Sequence, residues 1–310
     1  MPALTYYLSL TFLTLAYYAP LASTTGVILP LYTWPSDSAW DPVYNALAAY
    51  PDVEFYVIVN PNSGPGDSSP PASEYIAGVT ALNSYPNVHT LGYVRTNYTN
   101  RDIHDVKEDI DIYSQWASYS ASTRTRTLKP RSACSDENTS TATPSIPSTP
   151  SNPNPGIALS GIFFDEAPHS SSTPELSYMQ DVAAYVQSKP ANFNFNSNSS
   201  SATPTVIFNP GTTHAPEYFN YATHIVDFES PYSVWQERNS GGAGFAVDGV
   251  DSGDYSQSAI IINSVPEDVD YGSVIDAVVE KGIALMYLTN DFDYKRTDSV
   301  GKVAAAIVGA

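Results

Sequence analysis

Cysteine is almost absent from this 310-residue chain, and the single one, Cys134, cannot form an internal disulfide. That excludes a small disulfide-stapled domain, so stability has to come from a buried core, which a chain of this length can build. Positive charge is also scarce: 13 Lys and Arg against 32 Asp and Glu give a formal charge of −19, and no Lys or Arg precedes Arg95. Such a surface repels phosphate backbones and excludes nucleic acid as a partner, whereas a neutral or cationic polymer suits it. Beyond residue 22 no stretch approaches the roughly 18 apolar residues of a membrane-spanning helix. The motifs of metal and nucleophile chemistry are missing too. His89, His104, His169, His214 and His224 form no HExxH or i, i+4 pair, and no GxSxG elbow occurs. The turn Asn62-Ser63-Gly64-Pro65-Gly66 lacks the lysine of a phosphate-binding loop. Asp248, Asp251 and Asp254 lack the spacing of a calcium loop and are expected in a solvated acidic segment. No metal and no cofactor is expected.

The first 22 residues carry no charged side chain and run through Leu-Ser-Leu-Thr-Phe-Leu-Thr-Leu-Ala before Pro20 and Ala22. This pattern predicts a secretory signal peptide and an extracellular or cell-wall location. The alternative is an uncleaved anchor that tethers the protein to a membrane. Sequons at Asn97, Asn138 and Asn198 agree with secretion. Residues 23–310 are expected to form a single domain. Within it, residues 120–155 form a Ser/Thr/Pro-rich insertion too polar to bury a core of its own, and the Asn-rich 192–203 run resembles it.

Eight apolar runs predict strands: 27–32, 55–60, 88–94, 161–165, 205–209, 225–229, 259–263 and 283–288. Between them helical periodicity is clearest at 41–50, 73–84, 103–119, 174–187, 269–280 and 299–308. Strand and helix alternating in this way predict an α/β fold, a (β/α)8 TIM-like barrel. The fifth and sixth strands are close in sequence, and the helix after the sixth is poorly marked, so some distortion is expected.

Two strands end in acids. Gly161-Ile162-Phe163-Phe164 runs into Asp165-Glu166-Ala167-Pro168, and His224-Ile225-Val226-Asp227-Phe228 runs into Glu229-Ser230-Pro231-Tyr232. Asp165 and Glu166 can serve simply as caps of the following helix. At the C-terminal ends of barrel strands, however, carboxylates from two strands are what glycoside hydrolysis needs: one protonates the leaving oxygen, the other attacks or activates water. Asp165, Glu166 and Glu229 are therefore the candidate catalytic residues. Other strand ends carry aromatic and amide groups suited to stacking on sugars and binding their hydroxyls. Tyr32, Trp34, Asn60, Asn62, Tyr93, Arg95, Asn209, Tyr232 and Tyr287 are the candidate substrate-binding residues, with Trp235 a further aromatic candidate.

The segments GVILPLYTWP, FYVIVNPNSGPG, LNSYPNVHTLGYVRT, GIFFDEAP and IVDFESPY together resemble the spherulin 4 family, also called spherulation-specific family 4. The likeness runs from Gly26 through the last strand, and the insertion at 120–155 lies outside the family pattern. The resemblance implies a secreted or membrane-associated fungal (β/α)8 glycoside hydrolase. Its implied substrate is α-1,4-linked N-acetylgalactosamine within galactosaminogalactan, a cell-wall and biofilm exopolysaccharide containing galactosamine. It also implies catalytic roles for Asp165, Glu166 and Glu229. Asp165 is expected as nucleophile or stabiliser, Glu229 as acid/base, and Glu166 as the group that orients or tunes one of them. The substrate's N-acetyl group is an alternative nucleophile. The rival reading is a non-catalytic polysaccharide-binding protein of a cell surface or spore coat. Endo against exo cleavage, and retention against inversion, stay open at this point.

Overall fold

The computed structural model describes residues 25–36, 38–119, 156–193, 203–239 and 255–310. The N-terminal segment, the low-complexity insertion, Cys134, Asn138, Asn198 and the acidic run at 248–254 lie outside the described residues. Eight strands close a parallel barrel in sequence order: β1 (Gly26–Leu31), β2 (Phe55–Val59), β3 (Val88–Arg95), β4 (Gly161–Asp165), β5 (Thr205–Asn209), β6 (His224–Pro231), β7 (Ser258–Asn263) and β8 (Leu285–Leu288). Their runs of Val, Ile, Leu and Phe are buried on both faces, as a barrel wall requires.

Among the described residues seven α-helices surround the barrel: α1 (Asp41–Ala49), α2 (Ser73–Leu82), α3 (Ile103–Gln115), α4 (Thr173–Gln187), α5 (Tyr232–Asn239), α6 (Tyr271–Glu280) and α7 (Val300–Gly309). The expected distortion falls between β5 and β6, where a 3-10 turn at Pro216–Asn220 takes the place of an α-helix. α5 follows directly on β6, and only Trp235 of that helix is fully buried. Among the described residues no helix is long and apolar enough to cross a membrane.

Register places the chemistry at one rim. Arg95 pairs with Asp165 across β3 and β4, and Asp165 pairs with Asn209 across β4 and β5. Between Val226 and Phe228 the β6–β7 ladder slips, and Glu229 then pairs with Ile261. This irregularity is braced from within: His214 Nε2 lies 2.6 Å from Asp227 Oδ1, with both side chains almost fully buried. Toward the opposite end, Tyr56 stacks on His89 and meets His224 edge-on. Burial, and then His89, lower the His224 pKa to about 4, so that ring is neutral at pH 7.

Candidate active site

The C-terminal rim carries one continuous hydrogen-bond chain. Tyr93 Oη donates to Asp165 Oδ2 at 2.6 Å. Asn209 Nδ2 donates both to Asp165 Oδ1 at 2.8 Å and to Glu229 Oε2 at 2.6 Å. Tyr294 Oη donates to Glu229 Oε1 at 2.6 Å and accepts from Asn263 Nδ2 at 3.1 Å. Each amide hydrogen of Asn209 thus serves a different carboxylate, and the two acceptor oxygens are about 5.4 Å apart at most. Tyr32 lies beneath, edge-on to both Tyr93 and Tyr294 at ring separations of 5.5 and 5.8 Å.

Burial sets the electrostatics. Desolvation raises the pKa of both acids, because the charged form loses water. For Asp165 three hydrogen bonds oppose that rise, from Tyr93, the Glu166 backbone N–H and Asn209. Glu229 has only Tyr294 and Asn209 to hold its charge, and the nearby Asp165 pushes it up further. The Glu166 carboxylate also raises the Asp165 pKa, but Asp165 accepts one hydrogen bond more than Glu229, which favours Asp165 as the anion of the pair and Glu229 as the proton holder. Burial first, and then the adjacent carboxylates, push the Tyr93 and Tyr294 hydroxyls up and keep them donors.

Glu166 points elsewhere. Its backbone is left-handed at φ 50°. It pairs with Arg95 Nε at 2.8 Å, and this hydrogen bond is the main cause of a raised Arg95 pKa. The Glu166 carbonyl accepts from Tyr98 N and from Thr96 Oγ1, both at 2.7 Å, stitching the β4 turn to the loop after β3. Asn97 in that loop is half-buried, and its Oδ1 accepts from Arg95 Nη2 at 3.3 Å.

An open cleft of about 310 Å³ lies over the acids, lined in part by Asp165, Glu166, Asn209, Glu229, Tyr98 and Phe292. Of the candidate residues, the structure brings Asp165, Glu166, Glu229, Tyr93, Arg95, Asn209 and Tyr32 together at or beneath it. Others sit apart. Tyr287 is buried in β8, and its electrostatic neighbours Tyr271 and Asp298 put it on the helix side of the wall. Trp34 packs edge-on to Tyr75 of α2. Asn60 Oδ1 accepts from Gly64 N and closes its own turn, while Asn62 is exposed on that turn. Tyr232 opens α5 half-buried against the core, and Trp235 packs on Phe228. Tyr287 and Trp235 are buried packing positions and Asn60 closes a turn, while Trp34 keeps 46% of its surface exposed.

Sequence reasoning missed Asn263, Tyr294, Tyr98 and Phe292. Asn263 ends β7 as Asn209 ends β5, a parallel visible in the sequence. The other three lie in loops whose approach to the acids follows only from ring closure.

Fold and site together define a (β/α)8 barrel with two buried, amide-bridged carboxylates in an open cleft at its C-terminal rim. The chain belongs to spherulation-specific family 4, whose family model matches residues 26–308. It is similar to Spherulin-4 of Physarum polycephalum, with 33% identity over 205 residues. That match covers 66% of this chain and 44% of the relative, so it spans less than half of that protein's length. Among solved structures it is similar to Aspergillus clavatus Sph3 in complex with GalNAc, at 26% identity and a TM-score of 0.70, covering 92% of this chain and 98% of the other.

Proposed function

We propose that this chain is an extracellular glycoside hydrolase that cleaves α-1,4-linked N-acetylgalactosamine in galactosaminogalactan. The observation that carries the reading is the pair of strand-end carboxylates, Asp165 and Glu229, held by one Asn209 amide in an open cleft. The sugar seen with Sph3, and the hydrolase activity the family resemblance implies, support the substrate class.

In this mechanism Glu229 gives its proton to the glycosidic oxygen as the bond from that oxygen to C1 breaks. Asp165 then forms a bond to C1 from the face opposite the departing oxygen, because the 2-acetamido group of an α-linked sugar lies on the same face as that oxygen and cannot displace it. Ionised Glu229 next takes a proton from water, which adds to C1 and releases the intermediate. Each of the two displacements inverts C1, so the α configuration is retained. The facing carboxylate oxygens, at most about 5.4 Å apart, lie nearer the retaining spacing of about 5–5.5 Å than the inverting one of about 6.5–9.5 Å, which supports retention. Arg95 and Glu166 form the polar wall beside this chemistry.

Purified polymer incubated with wild type, Asp165→Asn and Glu229→Gln tests the reading, with released oligosaccharides followed by mass spectrometry. Wild type is expected to release N-acetylgalactosamine oligomers. Each variant should be slower by about 10²–10⁴-fold while still binding the polymer. Variants as active as wild type would remove these acids from the chemistry. Binding without release by wild type itself would support a polysaccharide-binding protein instead.

A further inference from the structure

The cleft carries two aromatic rings that neither the core nor the acid chemistry accounts for. Tyr98 and Phe292 both line it, yet they stay 52% and 66% exposed. Rings this open bury little apolar area within the fold, so their placement calls for a partner outside it.

Each is presented on a pre-organised loop. Tyr98 is the middle of three consecutive non-glycine residues with left-handed backbones, Asn97, Tyr98 and Thr99, at φ 52°, 51° and 67°. Such conformations are costly and gather at ligand clamps. The Tyr98 N–H is tied at 2.7 Å to the carbonyl of Glu166, directly beside the acids. On the other side, Asp291 organises the loop that carries Phe292. Its Oδ2 accepts from Lys295 N at 2.6 Å and Arg296 N at 2.8 Å, and its own N–H donates to Thr289 Oγ1 at 3.1 Å.

Barrel order fixes where the rings stand relative to the chemistry. Asp165, Asn209 and Asn263 end β4, β5 and β7, Glu229 lies two residues before the end of β6, and together they form one arc of the rim. Tyr98 follows β3 and Phe292 follows β8, so the two rings bracket that arc. We propose that Tyr98 and Phe292 are stacking platforms for pyranose rings on opposite sides of the scissile bond. The proposal rests on the glycosidase reading and deepens it. Galacto-configured sugars fit such platforms, because the ring face opposite the axial 4-oxygen presents a continuous patch of C–H groups.

The test measures binding of a linear α-1,4-linked N-acetylgalactosamine oligomer by calorimetry, with Glu229→Gln as background so that the ligand stays intact. Adding Tyr98→Ala or Phe292→Ala should each weaken binding about tenfold, the scale of one lost aromatic contact. Tyr98→Phe and Phe292→Trp should keep the parent affinity, which a purely structural role of the hydroxyl or of side-chain size would not predict. With Glu229 intact, the alanine variants should raise KM far more than they lower kcat, and early wild-type products should be oligomers rather than monosaccharide. Unchanged affinity in both alanine variants, with wild type turning over normally, overturns the stacking proposal and leaves the glycosidase reading standing. Ring-dependent binding without any wild-type turnover overturns that reading and keeps the platforms. No oligomer binding by any variant overturns both.

Discussion

One amide group, that of Asn209, holds two acids that would otherwise repel each other, and its neighbours decide which acid keeps a proton. The arrangement has a thermodynamic signature. The folded-state pKa of Glu229 is raised by burial and by Asp165, so the folded protein binds its proton more tightly than the unfolded chain does. The stability that proton contributes is complete below the ordinary glutamate pKa of about 4.3 and is lost as pH rises through the raised value. Glu229→Gln imitates the protonated form at every pH. The variant should therefore melt higher than wild type at pH 7, on the order of 2–4 °C for each kcal/mol recovered, and the gap should close near pH 4. A gap that is absent at pH 7, or equal at both pH values, would contradict the assigned electrostatics. On the proposed reading activity is given up in the exchange, the usual relation between a buried catalytic acid and stability.

At the scale of the element, β4 delivers Asp165 only because its first residue has no side chain. A Cβ built on Gly161 would fall 1.9 Å from the carbonyl oxygen of Thr205, its register partner on β5. Backbone cannot yield there as a flexible side chain could. Gly161→Ala is expected to cost more than about 4 kcal/mol, in the exceptional range for a single substitution, and to sharply reduce folded protein. Gly301 of α7 is the control, since nothing lies within 4 Å of its Cβ position. Gly301→Ala should stabilise by about 0.5–1 kcal/mol in thermal melts. Equal effects of the two would contradict the packing described.

The strands were legible for the same reason that they are stable: short Val, Ile and Phe runs set off by glycine, proline and polar residues. β4 and β5 match the predicted boundaries, and β6 extends two residues further, to Pro231. Parity was not legible. A strand buried on both faces shows no alternation, so Tyr287 could not be assigned to the helix side from its run alone. Asp165, Glu166, Glu229, Tyr93, Arg95, Asn209 and Tyr32 could be nominated because strand ends are visible in sequence. Tyr294, Tyr98 and Phe292 reach the cleft through loop conformation, which leaves no periodic trace. Asn97-Tyr98-Thr99 even reads as an ordinary sequon, with nothing to signal three left-handed residues in succession.

For the whole molecule the dominant property is charge, −19 with an isoelectric point near 4.3. Partial deacetylation leaves galactosaminogalactan with free amines, and a cationic chain is drawn to an acidic surface over distances that salt shortens, about 10 Å at 0.1 M. KM for partially deacetylated polymer should rise several-fold between low salt and roughly 0.3 M, while KM for fully N-acetylated oligomers should barely move. Equal salt dependence for both substrates would show that the charge serves solubility alone.

Asp165 and Glu229, joined through Asn209, are proposed to form a glycosidase pair that retains configuration. Proton NMR of a digest in its first minutes, before mutarotation, tests it most directly. An α-configured reducing end appearing first on the released N-acetylgalactosamine oligomers is the predicted result; a β-configured end appearing first, or no new reducing end at all, would contradict it.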